Sequence, residues 1–224
     1  MERTAPHTGR TALRAARLAL ALLGGFTVAY DLASSTGDAG FSAANFFSYF
    51  TIESNLAASA VLLAGAVRDP RSTSWSSVRG AVTLCLAITG IVYAVLLSGR
   101  ADGSDPAWIS AVLHQVLPVA IVLDWLVDPP RPPLSYRAAL VWLLIPAAYC
   151  AYSLVRGALV GWYPYFFIDA TEPGGYGRVA VNVLALSLGF ALLALVVTGL
   201  GNAAGRLWAT APGGSRRSPR PDRR

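Results

Sequence analysis

Two side chains in this 224-residue chain stand out for the chemistry they could do together: Thr51 and His114. A threonine hydroxyl is a poor nucleophile until a neighbouring base takes its proton. His114 is the only imidazole besides His7, which sits in the N-terminal segment. It is therefore the one side chain in the apolar body of the protein with an ordinary pKa near neutrality. Together they could run acyl transfer to water through an acyl-threonine. Asn55, Tyr152, Arg156 and Asn182 are candidate donors for the developing oxyanion, which is often the largest single catalytic contribution. Glu53 is a further candidate for substrate binding. No third residue stands out as the orienter of His114, and Asn182, Glu53 and Asp31 remain open for that role.

The elements that must position this pair are membrane helices. Hydrophobic residues make up 54% of the chain and charged residues 13%, against roughly a quarter charged in a soluble domain. Six apolar blocks approach or exceed the ~20 residues that cross a bilayer as a helix. They lie at 13–30, 45–67, 78–98, 107–127, 135–157 and 179–201. RDPRSTSWSS and DPPRPPLS separate blocks with prolines, which lack an N–H and end helices. The expected fold is all-α: one six-helix transmembrane domain over 13–201, a short tail over 1–12, and a basic, disordered tail over 202–224. Basic residues ahead of LALALLGGFTVA also suit a signal peptide, but no A-x-A site follows, so the first span is expected to be retained.

Arginine placement gives an orientation. With the N-terminus inside, fifteen of the 18 basic residues, all arginine, fall on the cytoplasmic side, and only Arg100, Arg156 and Arg178 fall outside. This positive-inside bias predicts N-in and C-in, in the inner membrane of a bacterium. The basic charge thus serves topology and does not imply nucleic acid. Cys85 and Cys150 sit in apolar blocks and read as packing residues. With no Gly-rich phosphate loop and no metal-ligand spacing, neither cofactor nor metal is expected. Membrane lipids are the expected partners.

Depth brings the polar residues together. Thr51 lies about 9 Å below the outer end of its span and His114 about 10 Å, at 1.5 Å per residue. Tyr152, Arg156 and Asn182 fall in the same outer half. Helical phase puts Asn45, Ser48, Thr51, Asn55 and Ser59 on one stripe and Glu53 on roughly the opposite side. Pro118 should kink its helix beside His114, and Tyr149, Tyr152, Ser153 and Arg156 share a face. Asp124 is expected to be interfacial, paired with Arg131 or Arg137. Trp108, Trp162, Tyr163 and Tyr165 read as aromatic-belt anchors.

FFSYFTIESNL, AVLHQVLPVAIVLDW and GWYPYFFID together resemble a bacterial family of six-span membrane proteins, itself similar to the animal androgen-induced and androgen-dependent membrane proteins. Members of that animal group are threonine hydrolases that cleave fatty acid esters of hydroxy fatty acids. The resemblance implies a catalytic Thr51 within YFT and a catalytic His114 ahead of Val116, Leu117 and Pro118. It also matches the segment Tyr163, Pro164, Tyr165 and Phe166. Two other readings use the same polar residues: a non-enzymatic carrier of a small amphiphile, and a structural or regulatory subunit whose polar side chains join helices.

Overall fold

The computed structural model describes residues 5–99 and 106–210. Among them there is no strand, and six helices are long and apolar enough to cross a membrane. They are α1 (Ala5–Ser35), α2 (Phe50–Val67), α3 (Thr73–Leu97), α4 (Ala107–Val127), α5 (Tyr136–Val160) and α6 (Gly175–Thr210). Arg3, Arg100 and the tail beyond Thr210 lie outside the described residues.

Local chemistry explains most boundaries. Ser72 and Ser135 cap α3 and α5 by accepting from the amides of Trp75 and Ala138, which satisfies donors that have no partner within the helix. Gly161 closes α5 at φ +69, a left-handed conformation that suits glycine at a helix end. The sixth helix runs past the expected end at 201. Asn202 is buried there and bonds both main-chain groups of Leu134, through Leu134 N–H at 2.9 Å and Leu134 C=O at 2.9 Å. Residues 202–210 therefore belong to the helix and not to a disordered tail.

Two departures from regular helix matter for function. The expected span 45–67 is broken. A single turn, Ala43–Phe46, precedes Tyr49, which is extended and caps α2, so that Thr51 falls in the first turn of α2. In α4 the segment Val112–Val116 is π-helical, and Leu117 N–H donates to Val112 C=O, five residues back. Pro118 follows it and cannot donate to the carbonyl of His114, so the expected distortion takes the form of a wider turn. Such bulges recur at functional sites.

Packing centres on α1 lying along α2, with α3 and α4 completing the core around Leu62, Leu86, Leu117 and Ile121. Gly90 lets α3 approach α4 closely: a Cβ there would stand 2.9 Å from Pro118 Cβ and 3.3 Å from the His114 carbonyl oxygen. The backbone of Leu144–Val160 stands away from those of α3 and α6, and a cavity of about 530 Å³ fills the space between them.

A second polar region lies at the far end of the bundle. Asp124 is not paired with Arg131 or Arg137, both of which are exposed. It accepts instead from Arg17 Nε at 2.5 Å and Arg79 Nη2 at 2.7 Å. Arg17 also donates to Asp128 at 2.9 Å, and Arg71 donates to Asp128 at 2.9 Å. Arg17 and Arg79 are 3% and 6% exposed, so they are interior ion-pair partners and not surface charges.

Candidate active site

Thr51 Oγ1 lies 3.3 Å from His114 Nε2. The other ring nitrogen, Nδ1, lies 3.1 Å from the Ser110 carbonyl oxygen. A carbonyl only accepts, so Nδ1 is the donor there, and in the neutral ring Nε2 then presents its lone pair to the Thr51 hydroxyl. This is the tautomer a general base requires. The group that orients His114 is thus main chain, not the side chain of Asn182, Glu53 or Asp31. The ring is held flat against Tyr93, with centroids 4.1 Å apart and planes 16° apart, and Tyr93 OH accepts from Ser110 Oγ at 2.9 Å.

Tyr165 is the neighbour that the sequence reading placed elsewhere. The segment between α5 and α6 folds back so that the Tyr165 hydroxyl accepts from Thr51 N–H at 3.3 Å and lies 3.5 Å from Thr51 Oγ1. It is part of the site, not a belt anchor. The signal was the GWYPYFFID segment, whose aromatic density is equally good for an interface. The amide of Thr51 is available because α2 begins at Phe50, and first-turn amides have no partner within the helix.

The other expected site residues are placed as follows. Asn55 is fully buried, and its amide NH2 donates to the Thr51 carbonyl at 2.8 Å and the Leu113 carbonyl at 3.1 Å. It ties α2 to the π-helical turn that carries His114, and its donors are spent on doing so. Tyr152 OH lies 2.8 Å from Ser48 Oγ, Tyr149 OH donates to the Ser48 carbonyl at 2.8 Å, and Arg156 Nη2 donates to Asn45 Oδ1 at 2.6 Å. The shared face on α5 therefore clamps the broken turn ahead of α2. Asn182 donates to the Phe167 carbonyl at 2.8 Å and fixes the segment that delivers Tyr165. Glu53 is exposed on the side of α2 away from Thr51, and Arg156 is bonded to Asn45 instead of to it. Of the seven residues named from sequence, Thr51 and His114 meet directly. Asn55 and Asn182 donate to nearby carbonyls, Tyr152 and Arg156 bond the Ser48 and Asn45 side chains, and Glu53 stands apart.

Thr51 and Tyr165 both face the 530 Å³ cavity, whose walls are otherwise largely apolar: Phe50, Ile88, Val92, Leu154 and Phe190 are among them. This volume lies within the range of small-molecule sites. Comparison with known protein families, with curated proteins and with solved structures finds no match to this chain.

Proposed function

We propose that this chain is an intramembrane esterase acting on lipid acyl esters. The observation that carries the reading is the Thr51–His114 contact, 3.3 Å long, with Thr51 on the wall of an apolar cavity. His114 Nε2 takes the Thr51 Oγ1 proton as that oxygen attacks the ester carbonyl carbon. The carbonyl oxygen becomes an oxyanion, to which the Tyr165 hydroxyl donates. Collapse breaks the ester C–O bond, the leaving alcohol takes the proton from His114, and the acyl group stays on Thr51. A water, deprotonated by His114, then attacks the acyl carbonyl carbon; the acyl–Oγ1 bond breaks, Thr51 Oγ1 takes the proton back from His114, and the carboxylic acid leaves. Asn55 and Asn182 are positioning residues, acting through the main chain of Thr51 and through the Tyr165 segment. A 3.3 Å contact is at the long end for a hydrogen bond, as free catalytic pairs often are before substrate tightens them.

The protein works in a bacterial inner membrane with both termini in the cytoplasm. Arginine counts support this orientation even without the buried Arg17 and Arg79, since thirteen remain against three. The polar site then lies in the outer half of the bilayer.

The test is covalent labelling in detergent with an acyl-fluorophosphonate probe and peptide mass spectrometry. An adduct on Thr51, lost in Thr51→Ala, is expected, with ester turnover in His114→Gln lowered by about 10²–10⁴. A saturable amphiphile interaction that Thr51→Ala weakens, with no adduct in the wild type, would replace the enzyme with a carrier. The commitment of the Asn55 and Asn182 side-chain amides to internal hydrogen bonds favours that second reading. An unchanged adduct pattern and unchanged amphiphile binding in both variants would leave only a structural role.

A further inference from the structure

A second apolar hollow, of about 380 Å³, lies on the outer face of the seam between α3 and α6. All of its lining residues are apolar or glycine, and Ile91, Val95 and Leu192 on its rim are 49%, 73% and 64% exposed. Ile88, Val92, Leu186 and Phe190 wall both this hollow and the Thr51 cavity. One layer of four side chains therefore separates the Thr51 cavity from the face of the seam. Ile88 is buried at 3% exposure, while Val92, Leu186 and Phe190 are each half-buried. Gly189, next to Phe190, has nothing within 4 Å of where a Cβ would stand. The wall is thin on the α6 side, and Phe190 is its largest member.

The geometry points to a lateral gate at Phe190, through which the acyl chain of a bilayer ester lipid reaches Thr51. The carbonyl end of the chain lies in the inner cavity beside Thr51 and Tyr165, and the distal methylenes cross the Ile88–Val92–Leu186–Phe190 wall into the outer hollow. This occupant fits on three grounds. The six helices have the length and composition to stand in lipid. Both hollows are lined for hydrocarbon, which is drawn out of water but not out of a bilayer, so a chain can slide between lipid and cavity at little cost in hydrophobic free energy. The Thr51 and Tyr165 hydroxyls lie together on the inner cavity wall, where an ester carbonyl would meet them. The inference rests on the esterase reading for what happens at Thr51, but chain access can be measured without turnover.

The experiment uses the full chain in phosphatidylcholine nanodiscs doped with a phosphatidylcholine whose acyl chain carries a diazirine beside the ester. After irradiation, peptide mass spectrometry reads adducts on the inner wall, at Tyr149, Cys150 and Leu154, and on the outer rim, at Ile91 and Leu192. Wild type should be labelled at both. Phe190→Trp, which thickens the wall, should lower inner labelling about tenfold, as expected when a couple of buried methylenes lose their place, with rim labelling unchanged. Should Phe190→Trp fail to fold, Val92→Phe narrows the same gate from α3. Inner labelling that neither folded variant reduces, or that is missing from wild type, overturns the gate. Thr51→Ala should leave inner labelling intact, so loss of ester turnover there with a working gate, or retained turnover with a failed one, tells the two ideas apart.

Discussion

The two polar regions of this bundle are built on opposite principles. At the Arg17 end, charged groups are saturated: Asp124 and Asp128 each accept from more than one arginine at distances of 2.5–2.9 Å, and Arg79 also donates to the Asp128 carbonyl at 2.8 Å. At the Thr51 end the central groups are two hydroxyls, an imidazole and a carbonyl, and the contacts that join them run from 3.1 to 3.5 Å. At the saturated end Arg17, Arg79, Asp124 and Asp128 are all paired with one another, and the network joins α1, α3 and α4. The looser end keeps Thr51 and Tyr165 on the wall of a cavity, with His114 behind Thr51. Polarity inside an apolar bundle is a poor guide to function by itself. What separates a brace from a site is whether the groups still have something to give.

The strongest way to break this comparison is Asp124→Ala. It leaves Arg17 and Arg79 buried and short of a partner, which should destabilise the protein by about 3–5 kcal/mol, read as a fall in melting temperature in detergent. A neutral result would mean that the network is not a brace. Gly90→Ala comes next. Its Cβ would press on Pro118 and move the π-helical turn that holds His114, at about 1–3 kcal/mol for an overpacked contact. Ester turnover should fall further than stability explains, because His114 moves relative to Thr51, and a variant that melts lower with full turnover would uncouple Gly90 from the site.

Acid should loosen the brace. Burial alone would raise the Asp128 carboxyl, but the hydrogen bond from Arg17 and the charges of Arg79, Arg71 and Arg17 outweigh it and hold the group below the usual carboxylate range. A depressed folded pKa gives stability that is complete above the unfolded value of about 3.9 and is lost as pH falls through the folded one. Melting temperature should therefore drop below about pH 4, and Asp128→Asn should flatten that part of the profile while lowering the plateau. Thr51→Ala is the smallest expected change in stability, about 0.6 kcal/mol for one interhelical hydrogen bond in a membrane protein, measured by the same melt. A loss as large as that of Asp124→Ala would turn the site into a second brace.

The six helices were legible because hydropathy and proline breaks are local properties of the chain: the block expected at 107–127 coincides with α4. Pro118 announced a distortion beside His114, and helical phase put Glu53 away from Thr51. The start of α2 was less legible. Its polar stripe from Asn45 to Ser59 reads as one helix, yet Tyr149, Tyr152 and Arg156 pull the Asn45–Ser48 turn out of line with it. The orienter of His114 could not be seen, since a backbone carbonyl carries no sequence signature.

Sequence alone determined the number of helices long and apolar enough to cross a membrane, and it paired the Thr51 hydroxyl with the His114 imidazole by their similar distances from the ends of their spans. Only the tertiary structure decided that Asp124 belongs to Arg17 and Arg79, that Tyr165 folds back onto Thr51, and that Asn55, Tyr152, Arg156 and Asn182 bond groups other than the Thr51 and His114 side chains. The physical reason is range. Burial preference is set residue by residue along the chain, whereas a hydrogen bond goes to whichever group packing brings within about 3 Å, and that group can be a hundred residues away.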